Sequence, residues 1–282
     1  MKLWLNGTIA DAGDTRIDPA DRGLLLGDGL FETMLVRKGR IAFFEEHLLR
    51  LTKGAETIGL MLPYSPDDLL QACRTLLQDC GLLERERASL RLTLTRGPGP
   101  RGLALPPDPK PTVLISAAAG GQPPDHVSLA TVSPRRNPWS PSARLKALPY
   151  LENVLAKEEA RKKGADDALI LDTNGLVACS SAANIFLWDG DLLLTPGDRS
   201  GILPGITRAV LLELTSSIGI EARDDDIAPQ RLLCATGVFI TNSLMGLVPV
   251  SRIDGQEISA HPMTARLAAA YELLLDAAAS GN

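Results

Sequence analysis

Lys146 stands in ARLKALPYLENVL, among apolar residues and just ahead of a helix expected to start near Tyr150. A lysine taken out of water has a lowered pKa and attacks carbonyls as the neutral amine, the requirement for Schiff-base chemistry. The same surroundings also suit a lysine that snorkels from a strand end. In SGILPGITR, residues 200–208, Pro204, Gly205, Ile206 and Thr207 open a strongly apolar helix. Unpaired N–H groups and the helix dipole make such a start a ready anion site, and glycine lets a phosphate approach the backbone; Pro and Thr are equally ordinary openers of a helix. Arg50, on the exposed flank of the helix in HLLRL, and Ser243, after the buried strand in FITNS, could each contact a phosphate or be a surface arginine and a turn serine. Arg96 and Arg101 lie in TRGPGPRG, a glycine-rich loop suited to a bidentate grip on a carboxylate, or simply solvated.

The elements that must position these residues follow from periodicity and turn residues. Strands are predicted over Lys2 to Ile9, Ala88 to Thr95 and Thr112 to Ser116, with a hairpin over Leu30 to Ile41 turning near Lys38-Gly39-Arg40. Helices are predicted over Phe43 to Ile58, with Phe44, Leu48, Leu51 and Ala55 on one face, and over Pro66 to Cys80. The small residues and prolines of AAAGGQPPDHV mark a linker at 117–127, between a first domain at 1–116 and a second at 128–282. The second half gives helices at Tyr150 to Lys163, Gly205 to Ser217 and Ala265 to Ala278. Its strands are expected at Ser128 to Val132, Asp167 to Leu171, Ile185 to Trp188, Val238 to Thr241 and Val248 to Ile253. Hairpin signals at Asp172-Thr173-Asn174-Gly175, Asp189-Gly190-Asp191 and Asp254-Gly255 predict short antiparallel strands with helices outside. The fold class is α+β.

Composition narrows the function. With 282 residues, 45% hydrophobic and 22% charged, the chain is long enough to bury a sizeable core without staples. A net charge of -5 argues against a general nucleic-acid binder, which needs a basic face for phosphates, and leaves small-molecule chemistry. Cys73, Cys80, Cys179 and Cys234 form no CxxC pair, and His47, His126 and His261 are scattered, so no metal site is expected. The opening MKLWLNGTIADAGDT turns polar too early for a signal peptide, and no apolar run reaches membrane-spanning length. A reduced, cytoplasmic protein with no membrane contact is expected.

In this order, DRGLLLGDGLFETM (21–34), FFEEHLLRL (43–51), KALPYLEN (146–153), SSAANIF (180–186), ILPGITR (202–208) and VFITNSLMGLVPV (238–250) resemble the successive motifs of the fold-type IV pyridoxal-5'-phosphate (PLP) enzymes, the class IV aminotransferases, across nearly the whole chain. The resemblance implies a two-domain enzyme, with a small N-terminal α/β domain and a larger C-terminal PLP-binding domain, acting on an amino-acid-like small molecule as a homodimer. It implies Lys146 as the lysine that carries the cofactor as a Schiff base and shuttles the proton at the substrate's α-carbon. Arg50, the amides of Ile206 and Thr207, and Ser243 would surround the phosphate, and Tyr150 would lie near the phenolic edge. Phe31, Arg101 and Asn242 would face the substrate. Cys179 stands where the family usually has the glutamate that keeps the pyridine nitrogen protonated and the ring a strong electron sink.

Within the family the chain most resembles the 4-amino-4-deoxychorismate lyases, in GDGLFET, TRGPGPRG and TNSLMGLVPV. These enzymes release pyruvate and leave 4-aminobenzoate for folate synthesis. D-amino-acid aminotransferases typically hold the substrate carboxylate with a Tyr, an Arg and a His, and the matching positions here read Phe31, Arg101 and Leu103. The alternatives are a D-amino-acid or other class IV aminotransferase with relaxed carboxylate recognition, and a weakly active or non-catalytic PLP-binding relative.

Overall fold

Asn6 and Gly7, both with left-handed backbone (φ 46° and 94°), fold the predicted first strand into a two-residue hairpin, β1 (Lys2–Leu5) and β2 (Thr8–Asp11), in the computed structural model, which describes residues 1–280. Asn-Gly is the dipeptide that reaches this turn at least cost. A short helix, α1 (Arg22–Leu26), was not foreseen inside the motif expected to open a hairpin. Asp21 caps it by accepting from the Gly23 N–H, and Gly27 ends it at φ 68°. Then come β3 (Gly29–Arg37), the turn at Lys38-Gly39, β4 (Arg40–Ile41), α2 (Phe44–Thr57), α3 (Pro66–Asp79), β5 (Arg87–Thr95) and β6 (Thr112–Ala119). Ser65 and Asp68 close a reciprocal capping box at the start of α3, with Pro66 in its first turn.

The six strands make an antiparallel sheet in the order β2-β1-β6-β5-β3-β4. Met34, Leu90, Leu92, Leu94 and Ile115 from the sheet share one core with Leu48 and Leu51 of α2 and Leu69, Cys73, Leu76 and Leu77 of α3. This first unit comprises Met1–Gly121 and, after an excursion of the chain, Leu145–Pro149. The segment expected to be linker is therefore shorter, because β6 runs on to Ala119 and the next strand starts at Val127. The lysine segment, expected within an unbroken C-terminal domain, belongs to the first unit, where its backbone pairs with β3.

The second unit, Gln122–Arg144 with Tyr150–Ala277, opens with β7 (Val127–Arg136), α4 (Leu151–Lys162), β8 (Asp167–Asp172), β9 (Val177–Cys179), β10 (Asn184–Asp189) and β11 (Leu192–Pro196). It continues with α5 (Ile206–Ser217), β12 (Ala222–Asp225), α6 (Pro229–Leu233), β13 (Gly237–Asn242), β14 (Gly246–Ile253), β15 (Gln256–Glu257) and α7 (Pro262–Ser280). Its sheet runs β12-β11-β10-β13-β14-β7-β8-β9, with β15 on β14. The expectation of antiparallel strands alone is corrected: β7 is parallel to both β8 and β14, and β11 is parallel to β12. Helices α4 and α5 supply crossovers long enough to return the chain in the same direction. A further pairing, Asn184 with Cys179, joins β10 to β9 and closes six strands of the path into a ring. Every residue of β8 is buried, as a strand covered on both faces requires.

Candidate active site

In the first unit the site is built where the chain returns to β3. The Phe31 N–H donates to the Lys146 carbonyl (2.9 Å) and the Leu148 N–H to the Gly29 carbonyl (3.0 Å), a bridge centred on Leu30 and Ala147. Only glycine fits at 29, since a Cβ there would lie 2.4 Å from the Leu94 carbonyl oxygen. The bridge holds Lys146 Nζ 4.5 Å from the centroid of the Phe31 ring, and the guanidinium carbon of Arg91, from β5, lies 3.7 Å from the same centroid. Burial, aided by the charges of Arg50 and Arg91 and opposed by Glu32, lowers the Lys146 amine to about 8. At neutral pH about a tenth is then unprotonated and nucleophilic, against well under a hundredth for an ordinary lysine.

Glu32 follows Phe31 on β3 and is 1% exposed. Its carboxylate accepts from His47 Nδ1 (2.7 Å) and, bidentately, from Arg50 Nε (2.8 Å) and Nη2 (2.6 Å). Burial pushes the carboxyl up, and these two donors, by contact and charge, bring it below the ordinary carboxylate range. Arg50, expected on an exposed flank, is instead drawn in by this fork, which fixes the plane of its guanidinium.

Arg96, read with Arg101 as a possible grip on a carboxylate, is engaged within the fold. It is buried, and it donates to Asp28 and to the carbonyls of Ile58 and Gly59. Arg22 donates to the same carboxylate and to the carbonyls of Gly102 and Ala104, tying down the loop that carries the exposed Arg101. Arg96 of the TRG piece and Asp28 of the GDG piece thus act as a scaffold.

In the second unit α5 begins at Gly205 with no side-chain cap, leaving its first N–H groups without helical partners. A Cβ on Gly205 would meet Asn184 Oδ1 at 2.0 Å, and Asn184 in turn donates to the Leu203 carbonyl (3.0 Å), so the turn is shaped around a bare backbone. Ile206 and Thr207 are the first two residues of the helix. The hydroxyls of Thr207 and of Thr241, on β13, are buried with no hydrogen-bond partner. Orphaned buried donors at an uncapped helix start suit a phosphate in kind and number. Ser243 follows β13 in the same turn as Asn242, and the Asn242 side chain holds that turn, accepting from the Leu244 and Met245 N–H groups and donating to the Ala182 carbonyl.

Tyr150 is the residue from which α4 starts. Cys179 is 5% exposed at the strand ring's closure, and Arg136 Nε donates to its sulfur at 3.5 Å. Burial works against the Arg136 charge, and Cys179, with Tyr150 and Glu152, more than offsets it, so the guanidinium is held above its ordinary value. Sequence reasoning missed Glu32, His47, Arg91, Arg136 and Thr241. The three-residue spacing of His47 and Arg50 on one helix face, and the alternation of Arg91, Thr93 and Thr95 against Leu90, Leu92 and Leu94, were the available signals. Among the described residues there is no cluster able to hold a metal and no helix long and apolar enough to cross a membrane.

Residues 29–253 match the class IV amino-transferase family, and the chain belongs to it. It is 35% identical, over 92% of its length and 90% of the relative's, to a Methanocaldococcus jannaschii protein provisionally named a branched-chain-amino-acid aminotransferase. It is 30% identical, with the same coverage, to the D-alanine aminotransferase of Bacillus licheniformis, and 28% identical to the aminodeoxychorismate lyase of Bacillus subtilis, covering 96% of this chain and 92% of that one. The crystal structure of the Thermoproteus uzoniensis branched-chain aminotransferase with norvaline superposes with a TM-score of 0.91 at 28% identity, over 99% of this chain and 96% of that one. The chain is thus an enzyme of a PLP-dependent family whose members are aminotransferases and lyases.

Proposed function

We propose that this chain is a PLP-dependent 4-amino-4-deoxychorismate lyase that releases pyruvate and 4-aminobenzoate. When bound, the cofactor supplies an aldehyde and an electron-accepting ring. In this reading Lys146 holds the aldehyde end, its buried amine lowered to about 8 and so able to act as a neutral nucleophile. Arg50, the N–H groups of Ile206 and Thr207, and Ser243 bind the phosphate. Lys146 would then serve as the general base at the carbon that bears the substrate amine, and Tyr150 would border the cofactor's phenolic edge. Phe31 and Arg101 orient the substrate.

The observation that carries the choice is at Cys179. A thiol receiving a hydrogen bond from Arg136 is no proton donor of the kind a carboxyl–pyridine pair requires. With residue 179 at the pyridine edge, as its motif position implies, less negative charge can be held in the ring. Elimination tolerates that better than transamination, because loss of the enolpyruvyl group is drawn forward by formation of an aromatic product. The bare Phe31, without a hydroxyl, adds support.

The 35% and 30% identical relatives favour a second reading, an amino-acid aminotransferase, which differs in needing a keto acid as second substrate. The PLP-loaded protein should be given freshly generated 4-amino-4-deoxychorismate without any keto acid. Equimolar pyruvate and 4-aminobenzoate, lost in Lys146→Ala, are expected; neither product, with pyruvate formed instead from D-alanine plus 2-oxoglutarate, replaces the lyase by the aminotransferase. Exposed Leu151, Val154 and Leu155 on α4 support a working homodimer, and the composition supports a cytoplasmic one.

A further inference from the structure

Helix α4 buries one stripe of residues, Asn153, Ala156 and Ala160, and the two alanines join Val132, Ala178 and Cys179 in an apolar layer. Asparagine is a poor choice for that stripe. It favours a helix less than alanine does, and burying its amide costs free energy unless the amide is hydrogen-bonded. Asn153 is 6% exposed, and its Nδ2 donates to the Ser181 carbonyl at 2.5 Å. We propose that Asn153 is a positioning residue of this site, whose side chain sets the turn between Cys179 and Asn184 against the helix that starts at Tyr150. The inference rests on the reading that Tyr150 and Cys179 border the cofactor.

The turn that receives this bond, residues 180–183, ties together the segments of the second unit on which the site is built. The Ser180 N–H donates to the Ala183 carbonyl (2.9 Å), and Cys179 pairs with Asn184 at the neck. Three asparagines converge on it. Asn153, from α4, holds the Ser181 carbonyl. Asn242, at the end of β13, donates to the next carbonyl, that of Ala182 (3.2 Å), and accepts from the N–H groups of Leu244 and Met245 in the turn that carries Ser243. Asn184 leaves the far end of the turn and donates to the Leu203 carbonyl ahead of α5 (3.0 Å). Asn184 and Asn242 thus link the turn to the start of α5 and to the Ser243 segment, and Asn153 adds α4 to the set.

Position within α4 makes that third link matter. Asn153 lies three residues past Tyr150, inside the first turn of the helix, and the helix starts with no side-chain cap. The place of that first turn therefore depends on contacts of this kind. With the bond removed, the turn bearing Tyr150 can shift against the strand end bearing Cys179, which alters what surrounds the cofactor's ring. The bond also needs a donor. Asn153→Asp keeps the shape but offers only oxygen to the Ser181 carbonyl, whereas Asn153→Ala removes the group altogether. A donor role makes the aspartate variant the worse of the two, and a role in packing alone makes it the better.

PLP-loaded wild type, Asn153→Asp, Asn153→Ala, Ala160→Gly and Tyr150→Phe are compared by PLP dissociation constant, by the pH titration of the bound cofactor's visible absorption band, and by thermal melting. Ala160→Gly weakens the same helix away from the turn, and so reports what lost stability does by itself. Both Asn153 variants are expected to move the titration midpoint by about half a pH unit or more and to weaken PLP about tenfold or more, Asn153→Asp the more strongly, while Ala160→Gly melts earlier with the wild-type midpoint. A wild-type midpoint in the Asn153 variants, an equal change in Ala160→Gly, or a larger effect of Asn153→Ala than of Asn153→Asp overturns the proposal. Tyr150→Phe tests the reading beneath it. An unmoved midpoint there takes Tyr150 away from the cofactor and the reading fails, whatever the Asn153 variants do; a moved midpoint there with none in the Asn153 variants fails the proposal alone.

Discussion

Lys146 owes its reactivity to position. Since its pKa is lowered, from 10.5 to about 8, the folded protein holds that proton less tightly than the unfolded chain. Between pH 8 and 10.5 the unfolded state binds more protons, so this lysine's contribution makes stability rise with pH there; below pH 8 it costs the cofactor-free fold about 3 kcal/mol. Urea unfolding of Lys146→Met, without PLP, should show a gain of that order at pH 7 that vanishes by pH 10.5. An equal pH dependence in both proteins would mean the amine is solvated. Glu32 acts on Arg50 through two hydrogen bonds, so Glu32→Gln should weaken PLP about tenfold, a loss of roughly 1.4 kcal/mol from the disordered fork, and leave pyridoxal, which lacks the phosphate, at wild-type affinity. Equal losses for both compounds would mean general damage to the unit. At Cys179, a carboxylate would meet the guanidinium of Arg136, and Cys179→Glu should raise the rate of D-alanine transamination relative to elimination, measured as the ratio of the two rates in one preparation.

At the scale of elements, the start of α5 depends on one missing methyl group. Gly205→Ala drives a Cβ against Asn184 and should lower phosphate-dependent PLP affinity by tenfold or more, with a stability loss of about 1–3 kcal/mol seen by thermal melting. Retention of wild-type PLP affinity would remove that helix start from the site. Asp28 binds two guanidinium groups, both nearly buried, and its carboxyl is held below the usual range by them although burial pushes it up. Asp28→Asn leaves both cations undercompensated and should destabilise the protein by about 3 kcal/mol or more. Elements were readable where local chemistry and packing agree: Ser65, Pro66 and Asp68 announce α3, and the leucines of α2 and β5 alternate with the periods of helix and strand. The hairpin at Asn6-Gly7 was legible in principle and was overrun by reading Lys2 to Ile9 as one strand. Strands such as β9, β12 and β15, two to four residues long, carry too few alternations to register, and α1 is fixed by Asp21 and Gly27 more than by any periodicity. Of the candidate site, Lys146 and the α5 start were visible as motifs. Glu32 and Arg91 were not, because a charge within an apolar strand pattern reads as a solvated face until its partners across the sheet are known.

The whole molecule consists of two units with separate cores, one packed between an antiparallel sheet and α2 and α3, the other organised around a ring of mixed strands. Composition could suggest a division near residue 120, but no compositional shift marks Leu145–Pro149, five residues that belong to the first unit on the strength of a few backbone hydrogen bonds. That detour imposes an order on biosynthesis. A ribosome releases the first 121 residues, then β7, and only then the pentapeptide that pairs with β3, so the amine arrives after every strand of the sheet it joins. A nascent or prematurely terminated chain of that length has the sheet and the arginines but lacks the buried amine with the lowered pKa, so its reactivity toward an aldehyde is that of ordinary lysines such as Lys38 and Lys53.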